Sequence, residues 1–117
     1  MRNLFGVVLS VFNMTMIMSA LAATITIRTD TAGQLADTCS AKEPAKVTFC
    51  QGFAQGAISL KLSEAGATKP FCFPKPAPTR AATMGLFAKW VYASPDRRVM
   101  TSTDGLFKFL GEQYACK

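Results

Sequence analysis

The sequence predicts an all-α fold: a compact four-helix domain cross-linked by two disulfides and preceded by a signal peptide. Three observations support this prediction. Apolar residues recur at helical spacing in four segments. The chain of 117 residues contains four cysteines and no histidine. A long uncharged apolar run precedes all four cysteines. No segment alternates long enough to predict a strand.

The N-terminal segment has the features of a secretory signal peptide. One basic residue, Arg2, precedes the apolar run, which ends in the small residues of Ala20-Leu21-Ala22, typical of a cleavage site. We therefore expect residues 1–22 to be removed and residues 23–117 to form the domain in the periplasm. The alternative is a transmembrane anchor, since the uncharged run over residues 3–27 is long enough to span a bilayer. Polar residues within that run disfavour the anchor.

Composition excludes several classes of function. Since Arg2 is one of the 13 Lys and Arg residues, the exported part keeps 12 of them against 7 Asp and Glu, a net charge near +5. These cations are scattered rather than clustered, which argues against nucleic acid and membrane-surface partners. Without histidine or free cysteine, the usual enzyme bases and nucleophiles are missing. We expect no catalytic residue, no cofactor and no metal site, since no C-x-x-C motif occurs.

Capping residues set the bounds of the first two predicted helices. The first is expected to begin at a cap on Thr29 or Asp30 and to end at Cys39. A polar break follows. The second is expected to begin at Thr48 and to end near Gly66, a favourable residue after a helix.

Two glycines inside the second helix need an explanation. Gly52 and Gly56 lie in the stretch FCQGFAQGA, and each costs a helix interior about 1 kcal/mol relative to alanine. One turn apart, they would form a small patch that lets the first helix approach closely. Gly52, Phe53 and Gly56 are therefore predicted to form a close helix packing. The alternative is a frayed or locally bent helix.

A proline-rich connection leads to the third helix. Residues 67–78 contain four of the six prolines, which predicts a rigid, extended segment. Thr79 is the expected cap of the third helix.

The fourth helix has the strongest start signal in the chain. Ser94 suits the cap, Pro95 the first helical position and Asp96 the positive end of the dipole. Apolar spacing from Val99 to Tyr114 then continues the helix. The poor helix formers over residues 101–105 leave open a kink, or a restart capped by Asp104.

The cysteines predict two disulfides because four lie in a short exported chain. Three pairings are open, and the predicted helices favour one. Cys39 ends the first helix and Cys50 begins the second, while Cys72 precedes the third and Cys116 ends the fourth. Closing the loop between Cys39 and Cys50 should stabilise the fold by about 3 kcal/mol in the chain-entropy model, and closing the loop between Cys72 and Cys116 by about 4 kcal/mol.

The order of several short motifs along the chain resembles that of a known family. They are Cys39, the stretch Cys50-Gln51-Gly52-Phe53-Ala54-Gln55-Gly56, then Cys72-Phe73-Pro74, Trp90-Val91, Pro95 and Cys116. This order is similar to that of the small periplasmic immunity proteins that protect bacteria from type VI secretion amidase effectors. Two departures are Phe53, where the family usually has tyrosine, and Ala115, where it usually has proline. A third is Thr101-Ser102-Thr103, which partly replaces the charged and small residues expected along the last helix. The resemblance implies an all-helical and often dimeric protein, similar in shape to periplasmic acid-stress chaperones.

The same resemblance implies a protein that binds a cognate cell-wall amidase and blocks its cleft without chemistry of its own. Two loops, residues 94–98 and 64–71, are expected to make the contact. The candidate partner-binding residues within them are Ser94, Asp96, Arg97, Arg98, Lys69 and Phe71. The alternatives are a merely solvated helical turn at residues 94–98 and a Phe71 ring that fills the core.

Two other functions stay open on the sequence. One is an acid-stress chaperone that exposes apolar surface when its dimer opens, although a pH switch would usually use histidine. The other is a membrane-active helical peptide, although the expected basic helix face is missing.

Overall fold

The computed structural model describes residues 26–117, so the predicted signal peptide lies outside the described part of the chain. Five helices follow in order: α1 (Ala32–Cys39), α2 (Pro44–Ala65), α3 (Arg80–Tyr92), α4 (Pro95–Arg98) and α5 (Ser102–Gln113). Within residues 26–117 the strand-like pairing is limited to one isolated antiparallel bridge between Thr31 and Thr101. The predicted all-α fold is confirmed.

The first two helices begin elsewhere than the sequence predicted. Thr31, rather than Thr29 or Asp30, caps α1: its Oγ1 accepts from the N–H of Gln34, whose side chain accepts in return from the N–H of Thr31. This reciprocal arrangement satisfies two otherwise unpaired donors.

The second helix starts at Pro44, one turn before the predicted cap at Thr48. Proline suits a first helical position because its missing N–H has no partner there. The predicted end is confirmed at Gly66, which follows α2 with a positive φ of 61°.

The predicted fourth helix is broken into α4 and α5. Thr101 caps α5 by accepting from the N–H of Asp104, so Asp104 is not the cap. The break shifts the helical register, and Val99, expected on the buried face, is 79% exposed. Leu106 and Leu110, which belong to the predicted apolar spacing, form the buried face of α5 together with Phe109.

The core surrounds α1, which packs against all four other helices. Its largest fully buried side chains are Phe71, Phe87, Phe109, Leu35, Leu106, Leu110, Val91 and Cys50. Phe87 and Phe109 meet edge to face with ring centroids 5.7 Å apart, and Trp90 adds a third ring 5.9 Å from Phe109. A central helix of eight residues depends on this surrounding packing for its stability.

Both predicted disulfides are confirmed. Cys39 and Cys50 join the end of α1 to α2 across a Cα–Cα distance of 5.1 Å. Cys72 and Cys116 join the proline-rich segment to the C-terminus across 4.9 Å. Described residues therefore include no free cysteine.

The predicted close packing at Gly52 and Gly56 is wrong. Both glycines are exposed, and a Cβ built on either would meet nothing within 4 Å. The buried small residue of this stretch is Ala54, which faces the core. Close approach instead occurs at Gly105, where a Cβ would lie 2.7 Å from the Cβ of Ala32.

Within residues 26–117 no helix combines the length and the hydropathy required to cross a bilayer.

Candidate partner-binding surface

The connection between α3 and α5 forms an exposed turn, residues 94–100, that the backbone anchors at both ends. At its start, the N–H of Ser94 donates to the carbonyl of Val91 at 3.3 Å. At its end, the carbonyl of Met100 accepts from the N–H of Ala32 at 2.8 Å. The single helical turn of α4 lies between these two anchors.

Arg97 fastens this turn to the end of α3. Its guanidinium lies 4.2 Å from the centroid of the Trp90 ring and donates to the carbonyl of Trp90 at 2.7 Å. The indole N–H of Trp90 in turn donates to Glu112 on α5 at 2.8 Å. A stacked cation with a directed hydrogen bond uses the planar shape of arginine, which lysine lacks. Arg97 and Trp90 together therefore link α3, α4 and α5.

Arg98 fastens the other side of the turn to α1. Its guanidinium lies 3.7 Å from a carboxylate oxygen of Asp37 and 5.1 Å from the Tyr92 ring centroid. The Tyr92 hydroxyl donates to Asp37 at 2.8 Å and lies 3.4 Å from Ser40 Oγ. Partial burial raises the pKa of Tyr92, and the nearby Asp37 carboxylate also raises it.

A close backbone contact between α1 and the turn adds to the side-chain contacts of Arg97 and Arg98. A Cβ on Gly33 would lie 3.0 Å from the carbonyl oxygen of Arg98, which is tighter than most Cβ contacts, so glycine favours this close approach of α1. Both arginines that the sequence marked as partner contacts thus bind within the chain. The exposed residues of the turn are Pro95, Asp96, Arg98 and Val99, and the side chain of Arg98 keeps 46% of its surface exposed despite its contacts with α1.

The exposed set combines two opposite charges, Asp96 and Arg98, with the apolar side chains of Pro95 and Val99. Asp96 forms no ion pair with any described cation. Among the exposed large apolar residues of the 26–117 range, Val99 has the largest exposed fraction. Ser94 is half-buried at the base of the turn. An apolar side chain held on a rigid projection is suited to insertion into a cleft of a partner.

The second loop that was predicted to contact a partner, residues 64–71, keeps only one of its two candidate side chains exposed. Lys69 is exposed, as expected. Phe71 is 1% exposed, so the prediction that it is a contact is wrong. Its ring meets Phe73 edge to face at 5.7 Å and fills the core beneath the proline-rich segment.

Sequence reasoning missed the residues that brace the turn. Tyr92, Asp37 and Glu112 carried no motif, since their pairing depends on how three helices cross. The sequence analysis placed Val99 in the apolar spacing of the predicted fourth helix because its spacing matched that of later apolar residues. The run of poor helix formers after it was the signal that the register could change.

The described part of the chain holds no group of three His, Cys, Asp or Glu side chains that would ligate a metal. Its projecting feature is a braced turn, which can bind but offers no acid–base pair.

Fold and surface together define a small, disulfide-bonded helical domain that presents a rigid exposed turn. The family model of the Rap1a immunity proteins matches residues 31–116, from the cap of α1 to the last cysteine, and the chain belongs to that family. Neither the curated proteins nor the solved structures compared with the chain gave a match.

Proposed function

We propose that this protein is an exported, non-enzymatic immunity protein that binds a type VI secretion cell-wall amidase in the periplasm and blocks its active-site cleft. Membership of the Rap1a immunity family supports a protein partner. The target class comes from the motif resemblance described above. The 94–100 turn is the element that enters the cleft.

One observation supports this choice of element: contacts within the chain hold the turn at its base, and the turn projects a highly exposed apolar side chain. Arg97 and Arg98 both bind within the chain, while Val99 is 79% exposed. A contact that is already ordered loses little conformational entropy on binding. Asp96 beside it can pair with a cation or a donor of the effector.

Export is part of the proposal. Residues 1–22 would be the signal peptide, and two disulfides fit an oxidising compartment such as the periplasm.

A homodimer is also part of the proposal, and the outer face of α2 is its candidate interface. Phe49 and Leu60 expose 40% and 59% of their surface there. Gly52 and Gly56 leave the helix backbone between them uncovered. Sedimentation equilibrium of the wild-type protein and of Leu60→Asp tests this point, since a charge at the interface should favour the monomer.

Co-purification tests the main proposal. The mature protein is expressed with a small Cys-His amidase encoded by an adjacent gene, and binding and hydrolysis of peptidoglycan peptides are measured. We expect a stable complex and loss of amidase activity. Val99→Asp should weaken binding by about 30-fold, because a buried apolar anchor contributes roughly 2 kcal/mol.

Leu86→Asp is the matched control, since it adds the same charge at another exposed apolar position, outside both the turn and the proposed dimer interface. It should change the affinity of each protomer for the effector by no more than about twofold relative to the wild type, as expected for a near-neutral surface substitution. Unchanged inhibition by Val99→Asp would contradict the role of the turn. If no adjacent gene product binds, the assignment of an amidase target is wrong.

A further inference from the structure

A groove lies at the other end of α3 from the 94–100 turn, between α2, the proline-rich segment and the first turn of α3. It encloses about 200 Å³. Its base contains the buried residues Ala54, Thr83 and Met84, and its mouth contains the exposed polar residues Gln55, Ser59 and Arg80. The groove is therefore apolar at its base and polar at its mouth.

Arg80 supplies the one charge in this lining. It forms no ion pair with a carboxylate in the described part of the chain. The first turn of α3 contains no acidic residue, so the positive end of the helix dipole adds to the potential of Arg80. The mouth of the groove is complementary to a negative charge.

The volume of the groove indicates the size of the group that it can bind. Pockets for small-molecule ligands usually enclose about 300–1,000 Å³, whereas a cavity of about 150 Å³ accepts one benzene ring. This groove is therefore suited to a single large apolar side chain. A carboxylate on the same segment would reach Arg80, which binds carboxylates in a forked geometry.

We propose that this groove is a second contact site for the effector, which inserts one large apolar side chain and places a neighbouring carboxylate on Arg80. The inference rests on the proposed function, because the effector supplies the segment. The 13 residues of α3 separate groove and turn by about 20 Å at 1.5 Å per residue. An interface of standard size, roughly 30 Å across, can cover both.

Capped dipeptides test the chemistry of the groove without the effector. Acetyl-Phe-Glu-amide is titrated into isotope-labelled mature protein, and the Met84 methyl and Thr83 amide signals are followed by NMR. We expect saturable shifts, with acetyl-Phe-Gln-amide binding about tenfold more weakly because it lacks the charge. Arg80→Gln should remove this difference between the probes.

Lys89→Gln is the matched control, since it removes one positive charge from an exposed position on the same helix outside the groove. It should keep the preference for the Glu probe. Absent shifts, equal binding of both probes, or an equal loss in both variants would overturn the inference.

The effector assay separates this inference from the proposed function. We expect Arg80→Gln to weaken the effector complex about tenfold and Lys89→Gln to leave it unchanged. If the wild-type protein binds an effector and Arg80→Gln binds it equally well, the second contact is wrong while the proposed function stands. If the dipeptide binds as expected and no effector does, the proposed function fails and the chemistry of the groove stands.

Discussion

The guanidinium of Arg97 lies 4.2 Å from the ring centroid of Trp90 and donates a 2.7 Å hydrogen bond to the carbonyl oxygen of that same residue. One side chain thus fixes the only tryptophan of the chain and the turn that follows it. Any change in the position of the turn should therefore alter the environment of the indole.

Replacing Arg97 tests this brace. Arg97→Lys keeps the charge but loses the planar stack and the fork of donors, so we expect stability to fall by about 1 kcal/mol. Arg97→Ala should cost at least as much. Thermal unfolding and Trp90 fluorescence provide the measurements. Unfolding and emission of Arg97→Lys that match the wild type would show that the stack does not stabilise the turn.

Gly105 is expected to tolerate no side chain. Gly105→Ala should destabilise by about 1–3 kcal/mol, because its Cβ would lie 2.7 Å from the Cβ of Ala32. Gly85→Ala, in an open position within α3, should instead stabilise by up to about 1 kcal/mol. Urea unfolding gives both values. In a double-mutant cycle, adding Ala32→Gly should recover part of the loss at Gly105; strictly additive effects would contradict the clash.

The two disulfides should differ in their resistance to reductant. Cys72 and Cys116 are both exposed, whereas Cys50 is 2% exposed. We expect limited reduction and alkylation, read by peptide mass spectrometry, to label Cys72 and Cys116 first. Earlier labelling of Cys39 and Cys50 would refute this order. The double variant Cys72→Ser, Cys116→Ser should lose about 4 kcal/mol in the chain-entropy model.

Tyr92 should make stability sensitive to alkaline pH. Burial raises the pKa of Tyr92 in the folded state, so its contribution to stability is present below the pKa of an unfolded tyrosine and is lost as pH rises through the folded pKa. Tyr92→Phe should therefore show a smaller loss of stability between about pH 9 and pH 11. Urea unfolding across this range gives the comparison. Parallel profiles for the two proteins would rule out the contribution.

Alanine at the two exposed glycines of α2 should stabilise the fold. Gly52→Ala and Gly56→Ala each remove a helix-weakening residue where a Cβ meets nothing, so we expect a gain of about 1 kcal/mol apiece. Thermal unfolding measures the gain. If these glycines serve a partner, affinity should fall while the melting temperature rises; a drop in stability would instead reveal a packing role.

Much of the fold was predictable from local signals. Thr79 capping α3, Gly66 ending α2 and the pairing of four cysteines all follow from residues close to helix ends, where chemistry depends on neighbours along the chain. The break between α4 and α5 was visible as a weak stretch, but its cap at Thr101 was not. That residue pairs with Thr31, which is remote in sequence.

The candidate site was predictable in position but not in detail. The stretch SPDRR does form an exposed turn, as Pro95 and its neighbours indicated. Which side chains face outward depends on Trp90, Tyr92 and Asp37, which belong to other helices. Phe71 and the glycines of α2 were misassigned for the same reason: spacing along a chain does not reveal which face finds a neighbour.

The bridge between Thr31 and Thr101 has a consequence for how the protein folds. It sets the starts of the first and last helices side by side, with Ala32 donating to Met100 and Ser102 donating to Asp30. An eight-residue helix has little stability on its own, so α1 becomes fully stable only after α5 has packed beside it. Chains that end before α5 should therefore lack the core side chains Leu106, Phe109 and Leu110 and the hydrogen bonds that hold the start of α1.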